Sequence, residues 1–195
     1  MRSSRFLRER FQAYRLWILE RCLTQPMAAG SESRLADGLD LHFLDRHARR
    51  DWVTQRGADA DWPQFRVALE HGHDLVLARR GDVTLGWAWI GYERVFLPPL
   101  GRDIHLPAGT AYFYDAFVRP HERGRGIGHA LVGARCERAD HLGLGRLVSH
   151  VVTGNVASVR ALEAHGFGIV GRTLFLKALA LKVWTREPLP APRAA

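Results

Sequence analysis

Arg123-Gly124-Arg125-Gly126-Ile127-Gly128 is the stretch of this chain best suited to hold an anion. It follows the apolar run Tyr112–Val118 and the breaker Arg119-Pro120, and it opens a helical pattern that reaches about His141. A strand, a turn and a glycine-rich helix start bring several backbone N–H groups around one point, at the positive end of a helix. Arg123 and Arg125 add fixed charge and forked donors beside it. The ligand implied is a small phosphorylated molecule.

Two common phosphate loops do not fit. No Gly-Lys-Ser/Thr follows the glycines, and a G-x-G-x-x-G begun at Gly124 would need its last glycine where His129 stands. Downstream, Arg146–Val152 reads as a short buried strand. Asn155 then supplies a helix N-cap, Ala161–His165 favours helix, and Gly166-Phe167 supplies the stop. The run V-x-P-x-x-R-G-R-G-I-G from Val118 to Gly128, followed by this strand, Asn155 and Gly166-Phe167, resembles the two signatures of the GCN5-related N-acetyltransferases. The resemblance covers roughly residues 74–184, and the region before it more loosely.

That resemblance implies an α/β (α+β) acyl-CoA N-acyltransferase-like fold, a mixed central sheet of about six to seven strands flanked by helices. It implies acetyl-CoA as co-substrate and an amine as acceptor, joined by direct attack in a ternary complex. Arg123, Gly124, Arg125, Gly126, Ile127, Gly128 and His129 would wrap the pyrophosphate. The backbone of Ala116, Phe117 and Val118 would pair with the pantetheine arm like an added strand, one N–H polarising the thioester carbonyl. Asn155 and Ser158 would meet the coenzyme where the second strand opens.

Two residues compete for the general base. Asp115 is a lone acid on the coenzyme strand, opposite Ala116 in facing by alternation. An acid among apolar neighbours is expected to have a raised pKa, which suits a base working near neutral pH. His150 stands five residues before Asn155, where many relatives carry a catalytic Glu, and imidazole needs little tuning for the task. Each also has a structural reading, as a satisfied carboxylate or a strand histidine. One departure is clear: many relatives place a Tyr seven residues after the Asn to protonate the leaving thiolate, and here that position is Leu162. Tyr112, Tyr114, Ser158 or a water could substitute.

A second class of reading is a non-catalytic acyl-CoA-binding regulatory module on the same scaffold. A third, a nucleic-acid-associated protein, follows from the formal charge of +8. The basic residues are spread without a block, however, so nucleic acid is not an expected partner. A positive field would instead steer a polyanionic coenzyme. No metal is expected, because Cys22 and Cys136 lack companions at ligand spacing. Two cysteines also fit a reducing, cytoplasmic setting. No run suggests a transmembrane segment, and a homodimer is compatible with the sequence.

The elements that must position these groups read as follows. Residues 1–33 form a basic extension and linker, within which Tyr14–Leu23 is a strand, with a helix as the competing reading. Residues 34–186 form the acyltransferase domain, and the Pro-rich 187–195 a disordered tail. Inside the domain, Leu39–Leu44 reads as a strand, Asp45–Arg56 and Trp62–Glu70 as helices, and Asp74–Arg79 with Thr84–Tyr92 as a hairpin. Trp87 and Trp89 share one face of it by alternation. The breaker-rich 93–109 stretch reads as a long loop, either a wall of the acceptor pocket or a self-packed cover. Strand 111–118, helix 126–141, strand 146–152, helix 156–165 and strands near Phe167–Leu176 and Ala180–Thr185 complete the order.

Overall fold

The structure, a computed structural model, describes residues 11–23, 38–55, 63–98, 101–178 and 181–187. The first twelve residues of the basic extension and its linker, and the Pro-rich tail, fall largely outside these. Strand β1 (Phe11–Cys22) is followed by β2 (Asp40–Phe43), helices α1 (Arg46–Gln55) and α2 (Pro63–Glu70), and strands β3 (Asp74–Arg80) and β4 (Val83–Tyr92). A short hairpin, β5 (Arg94–Leu97) and β6 (Arg102–His105), precedes β7 (Thr110–Val118). Helix α3 (Ile127–His141), β8 (Arg146–Val152), α4 (Val156–Glu163), β9 (Gly168–Ala178) and β10 (Leu181–Glu187) complete the order.

Eight of these strands form one sheet in the order β10-β9-β1-β8-β7-β4-β3-β2, one more than the sequence reading expected. Every neighbouring pair is antiparallel except β7 and β8, which run parallel. The local rules behind the helices are plain. Asp45 Oδ1 accepts the N–H groups of His47 and Ala48, each at 2.9 Å, and so caps α1. Pro63 opens α2, where its missing N–H costs nothing. Asn155 Oδ1 accepts Ser158 N–H at 3.2 Å and caps α4.

Two helical layers sandwich the sheet. Helices α3 and α4 bury one face through Ile90, Phe113, Leu147, Val151, Val132, Val159 and Leu162. Toward β3 and β4 the same face closes on Ile127, Ala130, Leu131 and Ala134. Helices α1 and α2 cover part of the other face through Val53, Phe65, Leu75, Leu77 and Trp89, with Trp52 and Trp87 packed at the margin. Trp87 and Trp89 therefore share a face, as alternation requires. The 93–109 stretch is not a plain loop: it contains the β5–β6 hairpin, closed by the Arg94–Asp103 ion pair.

The largest difference from the sequence reading concerns β1. Tyr14–Leu23 was expected as a strand in an extension ahead of the domain. In the structure, residues 11–22 form a strand inside the sheet, bonded to β8 on one side and β9 on the other. Leu19 in β1 is fully buried among Phe113, Leu147 and Phe167. Leu19→Ala is therefore expected to lower the unfolding free energy by about 3 kcal/mol, within the range for emptying a packed core site. Urea unfolding checks this, and a loss under ~1 kcal/mol would mean that β1 is not held in the core.

Candidate active site

The parallel pair holds only briefly. Thr110–Phe113 pair with Arg146–Ser149, and Ser149 Oγ donates to the Phe113 carbonyl at 3.0 Å at the last rung. Beyond that point β7 stays with β4 and β8 stays with β1, so the two strands part. Tyr114–Val118 and His150–Val152 thus border a wedge, each presenting a backbone edge that no strand among the described residues covers. An extended arm can pair with such an edge by strand addition. Ala116 is exposed there, with Phe117 and Val118 half-buried.

A β-bulge sharpens the parting. Trp87 pairs with Phe117 but Trp89 pairs with Tyr114, so Asp115 and Ala116 together oppose Ala88 alone. Asp115 takes up the extra residue with φ 43°, a left-handed conformation uncommon for a non-glycine residue. Simple alternation, which set Asp115 against Ala116 in facing, does not survive this bulge. Phe117 lands on the α1/α2 face, stacked on Trp87 at 4.4 Å between ring centroids.

Where β7 ends, a 3-10 turn at Pro120–Glu122 leads into the glycine loop. Gly124 and Gly126 hold φ of 77° and 78°, conformations that a side chain would strain. Gly126 is the N-cap of α3 and offers no side-chain cap, so the first-turn N–H groups of Ile127, Gly128 and His129 point out of the helix end. Gly128 differs from the other two. Its backbone is not left-handed, and a Cβ there would meet only Val118 Cγ2 at 3.9 Å. Among the described residues nothing in the packing demands glycine at 128, and its position leaves space beside the first-turn amides. A helix start with free amides is a cradle suited to an anionic group.

The side chains around the loop are committed differently from expectation. Arg123 turns back, its Nε donating to the Val118 carbonyl at 3.2 Å, which ties the loop to the end of β7. Arg125 lies 3.2 Å from Glu122 Oε2. The His129 ring packs on His165 at 4.1 Å, so its direct offering to the cradle is its amide. His165 Nδ1 faces the Ala161 carbonyl at 2.8 Å and must donate to it, while burial lowers its pKa and favours the neutral ring.

The two candidate bases stand on opposite lips of the wedge. Asp115 is half-buried on the β7 lip. Burial, and then the Asp115 charge, push the neighbouring Tyr114 hydroxyl well above its ordinary pKa. His150 is half-buried on the β8 lip, its ring 5.6 Å from that of Tyr112. Since Leu147 and Val151 turn to the α3/α4 core, His150 faces the other side of the sheet, the side on which α1 and α2 pack.

The substitutes for the absent tyrosine acid separate. Leu162 is buried in the core under α4. Tyr114 is spent: its hydroxyl lies 2.7 Å from His73 Nδ1. His73 Nε2 faces the carbonyls of Tyr92 (3.2 Å) and Arg94 (2.9 Å), so Nε2 carries the proton and Nδ1 accepts from Tyr114. Tyr112 is buried, which raises its pKa and holds its proton. Ser158 is half-buried in the first turn of α4, beside Asn155. Sequence reasoning missed His73 altogether, because a single histidine between a helix and a strand carries no signal of a partner 41 residues away. Among the described residues no cluster of three or more His, Cys, Asp or Glu could hold a metal ion, and no helix is long and apolar enough to cross a membrane.

A sheet parted at one parallel pair, with a helix N-terminus below the opening, defines an acyl-coenzyme A acyltransferase fold. The chain belongs to the acetyltransferase (GNAT) family, whose profile matches residues 41–167. It is 30% identical over 170 residues to mycothiol acetyltransferase of Thermobispora bispora, an alignment covering 80% of this chain and 54% of that one. A GCN5-related N-acetyltransferase from Sphaerobacter thermophilus superposes with a TM-score of 0.60 at 15% identity, over 93% of this chain and 55% of that one. AAC(6')-Iy, solved with the bisubstrate analog CoA-S-monomethyl-acetylneamine, superposes at 0.51 with 18% identity, over 67% and 90% of the two chains. The chain spans little more than half the length of the curated relatives it matches.

The buried His73 makes stability depend on pH. Desolvation lowers its pKa from 6.5 to about 4, so between those values the unfolded chain binds a proton that the folded one refuses. Stability is therefore expected to fall as pH drops from 6.5 toward 4, by up to about 1.4 kcal/mol per pH unit. His165, also lowered, acts in the same direction. Urea titrations across this window should show a shallower slope for His73→Gln than for wild type, and equal slopes would refute the assignment.

Proposed function

We propose that this protein is an acyl-CoA-dependent N-acyltransferase that moves an acetyl group from acetyl-CoA to an amine in a ternary complex. The observation that carries the reading is the pairing of an uncovered strand edge at Tyr114–Val118 with the uncapped start of α3, where Gly128 leaves room for a ligand. Membership of the acetyltransferase family supports it.

In this reading the amides of Gly124–His129 hold the diphosphate, and the pantetheine arm adds to the edge at Ala116–Val118. Asn155 and Ser158 meet the coenzyme from the far lip. The thioester then lies beside the bulge, where a backbone N–H of β7 polarises its carbonyl. The amine enters from the α1/α2 side, since α3 and α4 close the other face. Asp115 or His150 takes its proton, directly or through one water. The nitrogen bonds to the carbonyl carbon, the tetrahedral adduct collapses, and the C–S bond breaks. The departing thiolate collects a proton from Ser158 or water. No step needs a metal, and Leu162 takes no part.

Calorimetry with acetyl-CoA tests the cradle. Gly128→Glu is the sharper variant, because its backbone tolerates a side chain that then places a negative charge where the diphosphate belongs; Gly126→Glu adds backbone strain. Wild type should bind and both variants should not. For the chemistry, thiol release with an amine panel should fall by roughly 10²-fold or more in whichever of Asp115→Asn and His150→Ala removes the base. Acetyl-CoA affinity should hold within about twofold in that variant. A wild type that binds no acyl-CoA would overturn the reading, and a wild type that binds but acetylates no amine would make the protein a binding module.

A further inference from the structure

The mouth of the coenzyme loop carries an arrangement that the diphosphate reading does not use. Glu122, in the 3-10 turn, lies between two arginines from different elements. Arg80 Nη1 at the end of β3 is 3.6 Å from Glu122 Oε2, and Arg125 Nη1 is 3.2 Å from the same oxygen. The Glu122 side chain is only 17% exposed, against 41% for Arg80 and 56% for Arg125. The shared carboxylate sits beneath and the two cations sit above, so the surface presented to water is positive. Asp82, the nearest acid along the chain from Arg80, is paired with Arg79. Arg119, His121 and Arg123 are exposed on the same turn, and the Arg123 guanidinium is already engaged by the Val118 carbonyl.

We propose that Arg80 and Arg125, held together by Glu122, recognise the phosphomonoester on the ribose of coenzyme A, and so distinguish the full coenzyme from its 3′-dephospho form. This rests on the coenzyme reading above. The acyl arm runs from the loop into the wedge, so the nucleotide must leave on the outer side, beyond the end of β7, where this pair lies. The diphosphate is matched by backbone amides, but the ribose phosphate is a dianionic group near neutral pH and needs paired, forked donors. One carboxylate between two guanidinium groups leaves a net positive charge, and Glu122 keeps both donors together without cancelling them.

The test is calorimetric titration of wild type, Arg80→Ala and Arg80→Lys with acetyl-CoA and with acetyl-3′-dephospho-CoA. Wild type should prefer acetyl-CoA by about tenfold or more, the span of a charged hydrogen-bonded contact. Arg80→Ala should bring that ratio to within about twofold of unity, by weakening acetyl-CoA alone, and Arg80→Lys should retain part of it. Equal wild-type affinity for the two ligands would overturn the proposal. So would an Arg80→Ala variant that weakens both alike, which would mark a general field effect. Binding of neither ligand by wild type would instead overturn the coenzyme reading, and this proposal with it.

Discussion

The architecture of this sheet turns on the parting of β7 from β8 after four residue pairs. A parallel pair buried between two layers would ordinarily continue, because each abandoned backbone group loses a hydrogen bond. Here the loss is imposed from both sides. The bulge at Asp115 bends β7 toward β4, and β1 draws β8 toward β9 by an unbroken antiparallel register from Leu16 to Cys22. The Ser149 hydroxyl on the Phe113 carbonyl then closes the rung at which they separate. The result is a slot whose apex is closed by a hydrogen bond and whose outer edges are bonded to β4 and β1.

A second layer of positioning lies behind that slot. Tyr114 is adjacent to the bulge, and its hydroxyl is bound to His73, which also holds the carbonyls where β4 passes into the β5–β6 hairpin. One neutral imidazole thereby joins β7 to the hairpin and to the start of β3. Close by, Asp74 accepts from Tyr92 and Arg138 and faces Arg49, linking β3, β4, α3 and α1. These buried polar contacts fix the α1/α2 side against β7.

How much of this was legible beforehand follows from what each signal depends on. The glycine loop, the Asn155 cap and strands β7 and β8 depend on local residue types, and their limits agree with the structure within a residue or two. Helix α4 ends at Glu163 rather than His165, because Gly166 at φ 80° turns the chain and Leu162 accepts the Phe167 N–H. The bulge was hidden, since alternation cannot show an extra residue when an Asp rather than a Gly takes the left-handed turn. The β5–β6 hairpin was masked by its flanking prolines and glycines. Residues 14–23 read as a strand, but nothing local says that its partners lie more than a hundred residues on. The arginines of the loop were legible as charges and not as directions: one bonds its own strand end and the other a carboxylate.

The place of β1 has a consequence for how the molecule is made. Its hydrogen-bonding partners are residues 146–152 on one side and 168–178 on the other. As the chain leaves the ribosome, β1 must wait for residues 146–178 before it can pair, while β3, β4 and β7 can already associate. The slot therefore cannot take its final shape until residues 146–178 have been synthesised, because β8 is not drawn away from β7 before β1 is seated. Such long-range closure is slow relative to local hairpin formation and leaves an apolar strand waiting unpaired. The slot is thus shaped late, even though the glycine loop at its mouth is complete before β8 begins.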